Sequence, residues 1–260
     1  MCRLLLDQSH GTFVVPNGAR MVVGSDATKY DELMNGAGNA DSEGVLEDGH
    51  RLLYVGYQDE GYVTADDWND VKPDEMLSKI KDGTNDGNED RQKAGLKPIY
   101  VDGWIQEPAF DATHKTVRWI LGMHESDGKF INATALALGR RGYERFTLVS
   151  DGSNPAGDRA VLAGLVKDYI FDKGFRFSDY VSGDKLAGYG LAALVATGAG
   201  VTLAKTGLLA AALIFLKKFV IIIIALAAAL FARVRKMFTR TKFGPPAAGP
   251  PAAAPPAPQS

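Results

Sequence analysis

Four histidines, one cysteine and a surplus of carboxylates are the side chains here that could do acid–base or metal chemistry. His10, His50, His114 and His124 form no HxH or HxxxH pair, so no zinc site is expected. The lone Cys2 excludes a disulfide framework and a cysteine-based zinc site. Asp111 and His114 stand three residues apart in the segment FDATH. An aspartate so placed can orient an imidazole as a general base, or it can simply brace the loop. These two are the candidate catalytic residues, with Trp104 beside them. His124-Glu125 ends a predicted strand and reads as a solvated pair.

The segment Asp82-x-Thr84-x-Asp86-Gly87 begins like a calcium loop, but its twelfth position is Lys93, where a bidentate glutamate is required. Asp59, Glu60, Asp66, Asp67 and Asp70 surround Trp68 and could draw a cation or a basic partner, or face solvent. Ser150 and Ser153 sit outside any nucleophile elbow, and no phosphate loop or dinucleotide fingerprint opens a helix. No metal and no cofactor are therefore assigned. The candidate binding residues are Tyr100, Trp104 and Trp119, which can line a groove or fill a core, and Arg140 and Arg141, placed to meet an anionic lipid or a partner's acid.

These residues need elements to position them. GTFVVPNGARMVVG (11–24) reads as a hairpin turning at Asn17-Gly18. A short helix follows over 27–35, then a glycine-rich loop to Gly44. RLLYVGY (51–57) and GYVTA (61–65) read as a second strand pair. Pro73 opens a helix whose first turn carries Asp74 and Glu75 and which stops at Gly95. Segments 98–105, 115–124, 129–138 and 145–150 read as strands, the second with Val117, Trp119, Leu121 and Met123 on one face, and the short turns between them predict an antiparallel meander, with EPAFDATH as a loop. Asn154-Pro155 caps a helix to about Lys173, and a short strand is expected near 175–177. The fold class predicted is α+β: an antiparallel meander with packed helices, about 180 residues long.

Charge divides the chain. Residues 1–184 hold 31 acids and 20 bases, a balance of −11, whereas residues 185–260 hold nine bases and no acid. An acidic domain is not expected to bind nucleic acid. Leu186 to Ala204 carries no charge but is rich in Gly and Ala; Phe219 to Ala232 is far more apolar. In the second stretch Phe219, Ile221, Ile222, Ile223, Ile224, Leu226 and Leu230 form the expected membrane anchor. Lys217 and Lys218 hold one end; Arg233, Arg235 and Lys236 hold the other.

A transmembrane helix or helical hairpin is thus expected after the globular domain. The lipid bilayer is the expected partner, and the C-terminus is cytoplasmic by the positive-inside rule. One span puts the domain outside the cytoplasm, two put it inside. MCRLLLDQ is too short for a secretory signal, so either the hairpin holds or the natural start lies upstream of Met1. Gly188, Gly190, Gly198 and Gly200 could let helices approach closely and self-associate. The domains read as 1–183 globular, 184–238 membrane-anchoring and 239–260 a Pro/Ala-rich tail.

Several separated motifs carry a family resemblance. Val101-Asp102-Gly103-Trp104, Glu107-Pro108, Phe110-Asp111, Thr113-His114, Val117 and Trp119 form one. Leu138-Gly139-Arg140-Arg141-Gly142, then Asp184-Lys185 with Tyr189-Gly190-Leu191-Ala192-Ala193, and Phe215-Leu216-Lys217-Lys218-Phe219 are the others. Together they resemble the DUF2167 family of uncharacterised bacterial membrane-anchored proteins. The resemblance implies an envelope-facing domain at the inner membrane and no particular activity. The element order is also similar to Mog1/PsbP-like sandwiches, a fold-level analogy. Three functions follow: a membrane-anchored, non-enzymatic binding or scaffolding module; a tethered enzyme using Asp111 and His114; or an oligomeric membrane assembly built through the Gly/Ala-rich helix.

Overall fold

The computed structural model describes residues 2–35 and 40–196. Strands β1 (Cys2–Leu6) and β2 (Gly11–Val15) are followed by β3 (Arg20–Val23), helix α1 (Ser25–Asn35), β4 (Ser42–Asp48) and β5 (Arg51–Gln58). Helix α2 (Pro73–Lys93) leads to the meander β6 (Tyr100–Asp111), β7 (Thr116–Glu125), β8 (Gly128–Leu138) and β9 (Tyr143–Ser150). Helix α3 (Pro155–Asp168), the two-residue β10 (Ile170–Phe171) and helix α4 (Leu191–Ala196) complete the described chain.

The predicted meander forms the centre of a seven-stranded antiparallel sheet of order β3-β4-β5-β9-β8-β7-β6. A three-stranded sheet, β1-β2-β10, lies apart from it. Alternation along β7, β8 and β9 gives the large sheet two buried faces. On one, Ala133, Ala135, Phe146 and Leu148 pack with Phe13 of the small sheet and with Leu162 and Leu165 of α3. On the other, Val117, Trp119, Leu121 and Leu136 pack with Met76 and Ile80 of α2 and with Leu191 and Leu194 of α4. Helix α2 starts and stops as its Pro73 and Gly95 predict, with Gly95 at φ +75°. Asn154 caps α3 by accepting from the Gly157 N–H at 3.0 Å.

Four local expectations are corrected. The Asn17-Gly18 turn exists, closed by Ala19 N–H to the Pro16 carbonyl, but its flanking strands do not pair with each other. β2 ladders with β1 and β10 while β3 ladders with β4. Pro16 has no N–H to continue a ladder, and Phe13, fully buried, is claimed by the core between the sheets. Residues 61–65 form no strand: β5 already has β4 and β9 on its two sides, and Gly61 adopts φ +101°. Tyr62 makes one parallel bridge, to Leu186. EPAFDATH is strand as far as Asp111. Its Pro108 is tolerated because β6 is an edge strand with a register shift between Gln106 and Ala109. Finally α3 ends at Asp168, and the short strand comes at 170–171, with a 3₁₀ turn over Phe177–Asp179.

The stretch from Leu186 is also placed differently from its expected role as the start of a membrane helix. Leu191, Leu194 and Val195 are at most 2 % exposed and belong to the α2-side core. The globular unit therefore runs through Ala196 rather than stopping at 183. Residues 197–260 lie outside the described residues, and with them the expected anchor and tail. Among the described residues no helix is long and apolar enough to cross a membrane.

Candidate functional site

Two motifs 44 residues apart in sequence meet at one end of the large sheet. The first is the turn Gly139-Arg140-Arg141-Gly142 between β8 and β9. It closes by Gly139 N–H to the Gly142 carbonyl at 2.8 Å. Its glycines are required by close approach. A Cβ at Gly139 would lie 2.9 Å from the Phe171 ring, and one at Gly142 would lie 1.8 Å from the Gln58 carbonyl oxygen. The second motif is Asp184-Lys185. Arg140 grips Asp184 with a two-pronged pair, Nε to Oδ2 at 2.7 Å and Nη2 to Oδ1 at 2.8 Å, and its Nη1 donates to the Gly174 carbonyl. Asp184 also accepts from the Val181 N–H. The Arg140 hydrogen bonds hold its carboxyl down at about 2.

That shift has a sign. The contribution of Asp184 to stability is full above its unfolded value, 3.8, and is lost as the pH falls through about 2. Asp184→Asn is expected to lower the melting temperature at neutral pH, with the difference from the parent closing as the pH approaches about 2. Circular-dichroism melts across the acid range measure it.

A cleft of about 640 Å³ opens beside this pair, lined by Asp59, Arg140, Arg141, Phe175, Asp184 and Lys185. Arg140 and Asp184 neutralise each other. The Arg141 guanidinium lies over the Phe175 ring, 5.8 Å from its centroid, and Lys185 Nζ donates to the Asp59 carbonyl. Two cations thus face one carboxylate in this cleft of a domain whose net charge is strongly negative.

The Asp111–His114 pair does form. His114 Nδ1 lies 2.7 Å from Asp111 Oδ2, while Asp111 Oδ1 accepts from the N–H groups of Thr113 and His114. The His114 hydrogen bond is the main cause of the lowered Asp111 pKa. This geometry braces the β6–β7 turn, where Lys115 adopts φ +55°. The His114 side chain is 59 % exposed and borders a cleft of about 520 Å³. There Tyr62 stacks between Phe177 and Tyr180, at 4.5 and 4.2 Å, and Lys115 Nζ sits 5.3 Å above Phe177.

Trp104 does not join the pair. It stands seven residues back along the same strand, roughly 20 Å away, half-buried against the α2-side core. The proposed combination of Asp111, His114 and Trp104 is therefore not assembled. Trp119, 2 % exposed, fills the core. Tyr100 is exposed and stacks on His124, whose Nδ1 lies 2.7 Å from Asp102 Oδ1. This second Asp–His pair borders a cleft of about 450 Å³ lined in part by Asp102, Trp104, Lys129 and Asp151. The partners are 22 residues apart and meet only through the β6–β7 register, so no local sequence pattern announces them.

The acidic set around Trp68 is partly consumed in structure. Asp67 Oδ1 accepts from the Ala192 N–H at the start of α4, and its carboxylate occupies the space a Cβ on Gly190 would need. The smallness of Gly190 thus serves a contact inside the domain; Gly198 and Gly200 lie outside the described residues. Among those residues no group of three His, Cys, Asp or Glu could hold a metal.

Fold and cleft together define an α+β domain with a basic pocket at one end of an antiparallel sheet. The chain belongs to DUF2167, a family of proteins of unknown function, whose family model matches residues 2–228. No curated protein matches it. Among solved structures it is similar to cyanobacterial PsbP (CyanoP) from Synechocystis sp. PCC 6803, determined in solution, at 12 % identity and a TM-score of 0.40. That likeness covers 66 % of this chain and 92 % of the other, and at this level it carries no argument about activity.

Proposed function

We propose that this protein is a membrane-tethered, non-enzymatic binding module that presents its domain on the extracytoplasmic side of a bacterial inner membrane and takes an anionic group in the Arg141–Lys185 cleft. The observation that carries the binding reading is that cleft: Arg140 is spent on Asp184, so Arg141 and Lys185 are left to face an incoming anion across a fixed wall. Supporting the tether is the sequence Phe219 to Ala232, fourteen uncharged residues between Lys217-Lys218 and Arg233-Val234-Arg235-Lys236. A single span is favoured over a hairpin. With Leu191 to Ala196 packed on the domain, only eight uncharged residues, two of them threonine and two glycine, remain before Lys205, a length of about 12 Å if helical.

One span with basic residues on its C-terminal flank puts the C-terminus in the cytoplasm and the domain outside. Reporter fusions after residues 202 and 243 are expected to read opposite sides of the membrane, and the chain is expected to stay with membranes through a carbonate wash. Same-side reporters would overturn the single span; release by carbonate would overturn the tether. For the cleft, inorganic phosphate is titrated into the detergent-solubilised full chain. Binding is expected to weaken at least tenfold in Arg141→Gln/Lys185→Gln, the loss of about 1.4 kcal/mol. An unchanged affinity would remove the cleft from the proposal.

A further inference from the structure

Beneath the small sheet lies a polar group that the cleft does not use. Glu144 of β9 is fully buried and Glu43 of β4 is 4 % exposed. Their meeting is built by three separate features. The ladder between β4 and β5 shifts register between Ser42 and Gly44, so Glu43 is the extra residue of a bulge, and the bulge turns its side chain inward. The turn between β1 and β2 then supplies the N–H groups of Gln8 and Ser9, both donating to Glu43 Oε1 at 2.6 and 3.1 Å. Gly11, lacking a Cβ, leaves the space into which the Tyr169 hydroxyl reaches, and that hydroxyl donates to Glu144 Oε2 at 3.3 Å.

Glu43 Oε2, Glu144 Oε1 and the hydroxyl of Ser9, itself 0 % exposed, are buried in this group without a hydrogen bond of ordinary geometry, and Glu43 and the Ser9 hydroxyl both bear on the Glu144 carboxyl. Two carboxylates cannot both stay charged at close range in a dry interior. A single proton resolves the arrangement. Shared between Glu144 Oε1 and Glu43 Oε2, it would satisfy both oxygens while the Gln8 and Ser9 N–H groups hold Glu43 Oε1.

We propose that Glu43 and Glu144 form a proton-binding site whose occupancy locks the small sheet and Tyr169 onto the large sheet, and whose emptying at alkaline pH loosens that contact. The pair is surrounded by groups that would not replace the proton. Tyr57 of β5, the ladder partner of Glu144, and Tyr169 are both pushed to higher pKa by burial and by the neighbouring carboxyls, so both remain neutral. Two bases on adjoining segments are engaged elsewhere: His10 stacks on Phe175 at 3.9 Å, and Arg141 covers the same ring from the cleft. Burial, followed by the charge of Glu43, moves the Glu144 carboxyl well above the ordinary glutamate range.

The sign follows from linkage. The folded chain keeps a proton that the unfolded chain releases near 4.5, so this stabilisation is full below 4.5 and is lost as pH rises through the folded value. Glu144→Gln mimics the protonated carboxyl with an amide. Melting temperatures of the full chain, measured from about pH 5 to about pH 8, are expected to fall for the parent and to stay flat for Glu144→Gln, which then exceeds the parent at the alkaline end. Parallel profiles would overturn the proposal.

If the variant fails to fold, ¹³C-carboxyl titration of the parent decides. One of the two glutamates must keep its proton well above about 4.3, and the Gln8 and Ser9 amides must exchange faster once that proton leaves. Titration of both at ordinary values would overturn it. A melting temperature at neutral pH that rises with added calcium and falls with chelator would make this a cation site and overturn the proton assignment.

Discussion

Asp158→Ala is expected to cost about 3–5 kcal/mol of unfolding free energy, the largest loss foreseen for a single polar truncation here. Asp158 sits fully buried in the first turn of α3. Its Oδ1 accepts from Arg51 Nε and its Oδ2 from Ser150 Oγ, each at 2.6 Å. Those partners lie at the start of β5 and the end of β9, so one carboxylate ties α3 to two adjacent strands. Removing it strands the Arg51 guanidinium, 16 % exposed, with Asp48 at 3.9 Å as a distant replacement. The loss comes from that uncompensated charge more than from the missing bond. Arg51→Met/Asp158→Leu, which removes both charges, is therefore expected to recover most of the stability. Urea denaturation of the three proteins checks this: a double variant as unstable as Asp158→Ala would mean that packing, not charge, is what Asp158 supplies.

Gly142→Ala is the second large effect, and it reaches the cleft. The new methyl would stand 1.8 Å from the Gln58 oxygen and 3.2 Å from the Asp59 Cα, both backbone. Neither can withdraw cheaply, because Gln58 is paired with Tyr143 and the Arg141 carbonyl accepts from the Gly61 N–H. Overpacking against backbone is expected to cost about 1–3 kcal/mol or more, and to shift the turn that presents Arg141. Both the melting temperature and phosphate binding should fall. Gly87→Ala supplies the opposite sign. It lies inside α2 with open space around its Cα, so a methyl there is expected to gain roughly 0.5–1 kcal/mol. If Gly142→Ala melted like the parent, the close approach that shapes the turn would be refuted.

These two residues differ in how visible they are from sequence. Gly142 belongs to a motif that stands out beside Arg140-Arg141, although its partner Gln58 does not. Asp158 reads as an ordinary helix-start acid suited to the dipole, and nothing near it in sequence announces Arg51, 107 residues away. The same divide runs through the candidate sites. Asp111 and His114 are three residues apart, and the local turn brings them together. Asp102 with His124, Arg140 with Asp184, and Glu43 with Glu144 are joined only by strand register, by a returning strap and by a bulge.

Features under short-range physical control were legible along the chain. Period-two alternation with tight turns made the β6–β9 meander, Pro73 and Gly95 bounded α2, Asn154 capped α3, and the family motifs were all in view. So was the division of charge that separates an acidic domain from a basic end. Tertiary structure decided everything that depends on competition for partners. β2 and β3 share a turn yet join different sheets, because Phe13 is worth more in the core than in a hairpin. Residues 61–65 lose their strand because β5 has no free edge. Leu186 to Ala196 looks from its composition like the start of a membrane helix, yet its Leu191, Leu194 and Val195 join the core that holds Trp119 and Met76, because apolar residues go to whichever low-polarity surroundings they can reach. Hydropathy measures the wish to leave water; only the fold says where each residue goes.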